Sequence, residues 1–334
     1  MLGLGLGSTL ATPVAGFCIH HFGSRAVILG AGLVFCLLLP GLVLAPTAAV
    51  LAAGLVVFGA AVSMTDVAMN AQAVVVETAA GRPLMSGFHG RFSLGGLVGA
   101  AGSSLLLFVG GTPLLAACLL AALGIGILLS QAPHLLPYMP AVGSAFRLPR
   151  GRLVLIGLLC LIGYFAEGAM LDWSAVFLRF TRGADAGVAG FGYALFSVTM
   201  ALGRLLGDRV QARIGARRVL RWGAFIGAAG LFLAGLVPSV PVALMGLALV
   251  GIGIANIVPV LFGAAGRLPD MPPGPAISAV AAFGCAGLLA GPPLIGVVAG
   301  FTGLALALAG VGLLLLVLSL ASGTVLAKET THAA

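Results

Sequence analysis

An all-α membrane protein made of two copies of one half is the fold this sequence predicts, and three observations predict it. Hydrophobic residues make up 61% of the 334 residues and charged ones 7%, a surface no water-soluble domain of this length tolerates. The apolar residues fall into eleven runs of about 20, the length a helix needs to cross a hydrocarbon core of roughly 30 Å. Helices are chosen over barrel strands because period-two alternation is missing and every backbone amide must be paired within its own segment. Third, Gly23, Arg25, Pro46, Gly54, Gly59, Pro83, Ser86, Gly95 and Gly99 recur as Gly215, Arg217, Pro238, Gly246, Gly251, Pro275, Ser278, Gly287 and Gly291, each 192 residues further on. Isolated glycine coincidences are cheap in such a chain, but one ungapped register that also holds Pro, Ser and Arg marks a duplication.

The runs lie near 2–19, 26–45, 48–76, 92–109, 113–130, 153–173, 188–206, 219–236, 241–264, 277–300 and 304–326. Breaks alternate in character. His20 to Arg25, Glu77 to Arg91, Gln131 to Arg152, Gly207 to Arg218, Gly266 to Pro275 and the tail share one side of the membrane, and fourteen of the sixteen Lys and Arg fall there or at its helix ends. Only Arg179 and Arg182 fall opposite. That bias makes the basic side, and with it the C-terminus, cytoplasmic in a multi-pass plasma (inner) membrane protein. It also accounts for the formal +8 charge without any nucleic-acid partner. The domain reading is an N-terminal half-bundle at 1–130, a cytoplasmic linker at 131–152, a C-terminal half-bundle at 153–327 and a tail at 328–334. Shifting the helix at 153–173 back by the offset places its partner ahead of Met1, so the design is expected to have twelve spans, the first missing from this chain.

Two carboxylates stand deep in apolar runs. Asp66 is roughly 16 Å from Glu77 along a helix and Glu167 roughly 22 Å from Arg152. A charge at such depth costs about 2.5 to 3.5 kcal/mol or more and faces a cavity or a partner, so both are candidate proton-coupling groups, with interhelical hydrogen bonding as the alternative. Asn70 follows Asp66 on the same helix face; with Gln72, Tyr164 and Asn256 it forms the candidate solute-binding set. The alternative for Tyr164, as for Phe165, Phe191 and Phe196, is packing. The offset maps Asn256 to Met64, so the copies differ at their polar positions. Glu77 closes its span near Arg82 and Arg91, as an ion pair or a gate contact. Asp172 and Trp173 read as an interfacial anchor or part of an outer mouth. The five cysteines, Cys18, Cys36, Cys118, Cys160 and Cys285, lack metal or redox spacing and read as packing residues; neither metal nor cofactor is expected.

Two stretches carry a family resemblance. Gly203 to Arg209 followed by Arg213 to Arg218 resembles the loop between the second and third helices of a half in the major facilitator superfamily, and the first copy keeps Gly16, Gly23 and Arg25 of it. Where that family has Asp then Arg before the second Gly, this chain has His20 and His21, or Ala212 and Arg213, and Asp208 is displaced. Thr65 to Asn70 with Phe88 to Gly95 resembles the fourth and fifth helices of the fucose permease branch and its uncharacterised relatives, and Glu167 to Trp173 resembles a stretch of those uncharacterised relatives. The resemblance implies a major-facilitator-type bundle of two six-helix halves with the solute held between them. It implies proton-coupled movement of a small, sugar-like solute, with Asp66 in the place of the coupling carboxylate. Glu77, Arg91, Arg204, Asp208, Arg213 and Arg217 would form the cytoplasmic gate. Efflux by proton antiport is the alternative within transport, and a non-transporting sensor or inactive truncated protein the alternative outside it. No HExxH, GxSxG or Walker-type phosphate loop occurs, so neither an enzyme nor an ATP-driven pump is expected. The partners expected are the solute, protons and lipid, for a monomeric chain.

Overall fold

The computed structural model describes residues 2–137, 149–269 and 271–326. Residues 138–148 of the linker with Arg147, Asp270, and the tail from 327 with Lys328 and Glu329 lie outside the described residues. Eleven α-helices follow in order: α1 Leu2–Val43, α2 Ala48–Ala80, α3 Met85–Phe108, α4 Pro113–Gln131, α5 Arg152–Val176, α6 Ala186–Ile214, α7 Ala216–Leu236, α8 Val240–Ile254, α9 Ile257–Gly266, α10 Pro273–Thr302 and α11 Leu304–Val325. A one-turn π-helix, Phe177–Thr181, extends α5. Among the described residues ten helices are long and apolar enough to cross a membrane, α8 and α9 together counting as one. α1, at 42 residues, joins two helices across Gly23 and so covers two of the expected runs.

The breaks are shorter than the sequence suggests. His20 to Arg25 is no loop: helix runs on both sides of a single non-helical residue, Gly23, at φ 80° and ψ 156°. Its copy Gly215, at φ 82° and ψ 153°, alone separates α6 from α7. That backbone region is all but closed to residues with a Cβ, so the chain turns on one glycine without unwinding its neighbours. Likewise Glu77 and Arg91 lie on α2 and α3, joined by residues 81–84 alone, and Asp208 and Arg213 belong to α6. Polar residues suit a helix once it leaves hydrocarbon, so hydropathy runs end before helices do.

Two compact units emerge, one comprising residues 1–80, 92–153 and 265–282, the other 81–91, 154–264 and 283 onward. In the first, α1 packs on α2 and α4, with Gly59 against the Leu4 carbonyl and Gly7 against that of Val56. In the second, α7 packs on α8 and α11, and α6 on α8, with Gly251 against the Phe196 carbonyl. Leu4 and Phe196 are themselves 192 residues apart, so the close approach of two backbones is reproduced pair for pair. Small residues permit such contact, which supplies the dispersion that holds helices together in lipid.

Three further contacts fix element ends. In the first unit the opening turns of α10 dock on α1, where Ser278 donates its hydroxyl to the Thr12 carbonyl at 2.5 Å. In the second, Gly87 and Gly90 of α3 dock on α6. Also in the second unit, Arg182 donates to the carbonyls of Ala234 and Gly235 at 2.6 and 2.7 Å while its guanidinium lies 4.8 Å from the Phe177 ring centroid. These are C-terminal carbonyls of α7, which lack intrahelical donors and carry the negative end of the helix dipole.

Candidate functional site

The second unit holds a buried polar cluster. It is built by a proline. A residue in a helix donates its N–H to the carbonyl four positions back, and Pro259 has none to give to Ala255. The helix is interrupted there: α8 ends at Ile254 and α9 begins at Ile257. The stranded Ala255 carbonyl accepts from Nε of Arg204 at 3.2 Å. The same guanidinium sets Nη2 on both carboxylate oxygens of Glu167, at 3.2 and 3.0 Å. Three elements thus meet on one cation: α5 supplies the carboxylate, α6 the arginine and the α8–α9 break the carbonyl.

Burial makes this pair consequential. The Arg204 side chain is 7% exposed and that of Glu167 18%. Removing either partner would leave a charge in an apolar surround, whereas the intact pair is held by directed hydrogen bonds. Asn256 adds an amide beside it: Nδ2 donates to the Gly203 carbonyl at 3.0 Å, while Oδ1 is buried against Gly207 without a hydrogen-bond partner. His89 of α3 lies edge-on to Phe262 of α9, ring centroids 5.9 Å apart, within electrostatic reach of Arg204. Tyr164, one turn before Glu167, packs its ring on Gly284 of α10.

The remaining candidates sort as follows. Asp66 is half-buried on α2; its Oδ1 accepts from Asn70 Nδ2 at 3.2 Å, and the same Nδ2 also donates to the Asp66 carbonyl at 2.9 Å. Among the described residues no cation forms an ion pair with it. Gln72 turns elsewhere, donating to Ser24 Oγ at 3.1 Å and to the Leu136 carbonyl at 3.4 Å. Glu77, 5% exposed, is paired with Arg267; this partner comes from the turn after α9, which sequence distance conceals. Asp208 accepts from the backbone N–H groups of Ser86 at 2.9 Å and Gly87 at 2.7 Å, a carboxylate on the positive end of α3. Arg91 and Arg213 are exposed, and Arg217 lays its guanidinium against Gly323 near the end of α11.

Arg204 lies ten residues inside α6 from its end at Ile214, or roughly 15 Å, and is joined to Glu167. Sequence reading placed it with the cytoplasmic arginines and passed over His89. The available signal was Pro259, whose position implies an orphan carbonyl four residues earlier.

Helices of this length and order, two copies related by one offset and a charged cluster inside apolar spans define a multi-pass membrane transporter. The chain belongs to the major facilitator superfamily: it is 48% identical over 318 residues to an uncharacterised MFS-type transporter of Yersinia pestis, the alignment covering 95% of this chain and 83% of the relative. An uncharacterised transporter of Sinorhizobium fredii is 35% identical over 306 residues, covering 90% and 80%. The membrane protein MosC of Rhizobium meliloti is 32% identical over 315 residues, covering 92% and 76%. No protein-family model matches the chain. Among solved structures the human organic anion transporter MFSD10 superimposes with a TM-score of 0.81 at 20% identity, covering 96% of this chain and 82% of that one. The fucose:proton symporter FucP of E. coli gives 0.76 at 16% identity, covering 96% and 89%. At such identities these two likenesses concern the fold alone.

Proposed function

We propose that this transporter moves a small, polar, sugar-like solute by alternating access, driven by protons. The observation that carries the reading is Asp66: a carboxylate inside an apolar span whose hydrogen-bond partner, Asn70, is a neutral amide. Without a cation, the least costly way to keep that carboxyl out of water is to protonate it, and a change between dry and wet surroundings then loads and unloads the proton. Glu167, paired with Arg204, is the second proton-coupling carboxylate of this reading. Asn70, Tyr164 and Asn256 offer the amides and hydroxyl that a solute rich in hydroxyls would use, whereas the Gln72 amide is already engaged by Ser24 and Leu136. Asp208 on the start of α3, with Glu77, Arg91, Arg213 and Arg217, forms contacts that close the cytoplasmic side, and the tail lies on that side.

Proteoliposomes under an imposed proton gradient test this. Solute uptake should follow the gradient and collapse with a protonophore, and Asp66→Asn should retain exchange of solute while losing gradient-driven accumulation. Equal accumulation by wild type and Asp66→Asn removes the coupling role.

A further inference from the structure

We propose that the solute carries a carboxylate, which docks on the Arg204 guanidinium in exchange for Glu167 as Glu167 takes up the proton. The inference rests on the transport reading above and narrows its substrate class to hydroxylated carboxylic acids.

Three features support it. Arg204 is fixed independently of its counter-ion, because Nε is held by the Ala255 carbonyl that Pro259 cannot bond. The guanidinium can thus change anions without losing its position, and its planar fork matches a carboxylate in two-point contact. Next, Glu167 is the more exposed member of the pair, 18% against 7%, so the carboxylate is the partner an incoming anion or proton reaches. Last, the buried Oδ1 of Asn256 lacks a hydrogen-bond donor, leaving an acceptor close to the arginine that a hydroxyl of the solute can satisfy.

Charge conservation turns this geometry into coupling. A buried guanidinium needs one anion at all times. When Glu167 is ionised it fills that role and excludes a second carboxylate; once it is neutral, the solute carboxylate takes its place on Nη2. One proton and one monoanion therefore enter together and leave together, and the net charge of the cluster stays constant. Binding of each favours the other by the same factor. The titratable groups around the pair are His89 on α3 and, one turn beyond Arg204 on α6, Asp208, whose carboxylate is held by the Ser86 and Gly87 amides; Tyr164 and Cys160 of α5 lie against Gly284 of α10, and α8 and α9 carry no charged residue, contributing instead the Ala255 carbonyl and the Asn256 amide.

Acetate, the smallest carboxylate that retains the docking group, serves as the probe. In purified Glu167→Gln the arginine lacks its anion, so sodium acetate should raise the melting temperature by at least about 3 °C by mass action, against the same concentration of chloride. In Glu167→Gln/Arg204→Gln the acetate effect should vanish. No acetate effect in the single variant, or an equal one in both, overturns the proposal. If Glu167→Gln does not fold, wild type decides. Gluconate, galacturonate and glycerate are compared with glucose, galactose and glycerol; stabilisation by at least one acid and by none of the neutral partners supports the proposal, and any other pattern overturns it. The transport reading fails differently, through the absence of gradient-driven solute movement in vesicles whatever acetate does to the melting temperature.

Discussion

α1 crosses α2 at Thr12 and Ser63, whose hydroxyls meet at 2.8 Å; 192 residues later the same crossing is made by Arg204 and Ala255. One contact has been kept in place while its chemistry has been replaced. In the first copy it is a neutral hydroxyl pair between two helices, neither of them interrupted at the contact. In the second, Val67 has Pro259 as its counterpart, the helix is interrupted, and a cation occupies the freed carbonyl. Around each, the packing is unchanged: Gly59 on Leu4 and Gly251 on Phe196. The scaffold is duplicated, and at this crossing only the second copy carries a charge.

The largest expected break in this comparison is Arg204→Ala, which leaves Glu167 buried without its cation and should cost about 3–5 kcal/mol of stability and abolish transport. Thr12→Ala, at the matching position, loses one neutral hydrogen-bond network and should cost about 1 kcal/mol. Thermal unfolding in detergent checks both, and equal losses would erase the asymmetry. Gly59→Ala and Gly251→Ala should instead behave alike, each costing about 1–3 kcal/mol by overpacking, because the added Cβ would lie 2.2 Å from the Leu4 carbonyl oxygen and 2.5 Å from that of Phe196. Pro259→Ala returns an N–H to Ala255 and sets it in competition with Arg204; folding should survive while transport falls about tenfold, the kinetic equivalent of one weakened charge-assisted bond. The smallest effect belongs to Asp208→Asn, which keeps an acceptor at the start of α3 but removes the charge, about 0.3–1 kcal/mol. The start of α10 has Pro273 and Pro275, which need no acceptor for an N–H they lack, and so has no matching sensitivity.

Spans and duplication were legible because both are written in local composition and in glycines whose spacing survives divergence. Gly23 and Gly215 even share one backbone conformation. Asp66 and Asn70 could be paired from sequence, since four residues along a helix is a known distance. The Glu167–Arg204 pair could not, because it depends on which faces of α5 and α6 turn inward. The third participant was harder still: the Ala255 carbonyl belongs to the backbone and leaves no trace in residue identity. The largest boundary differences are helices that outrun their hydropathy runs, α6 to Ile214 and α3 from Met85, because a helix can continue where hydropathy has already fallen.

Because the acceptor at position 255 is main chain, its availability to Arg204 is governed by a residue one turn away. Drift from Ala255 to another small residue would leave recognition untouched, while any replacement of Pro259 restores a competing donor. Selection for the site should therefore press on a ring that never touches the ligand, and spare the residue whose atom does the holding.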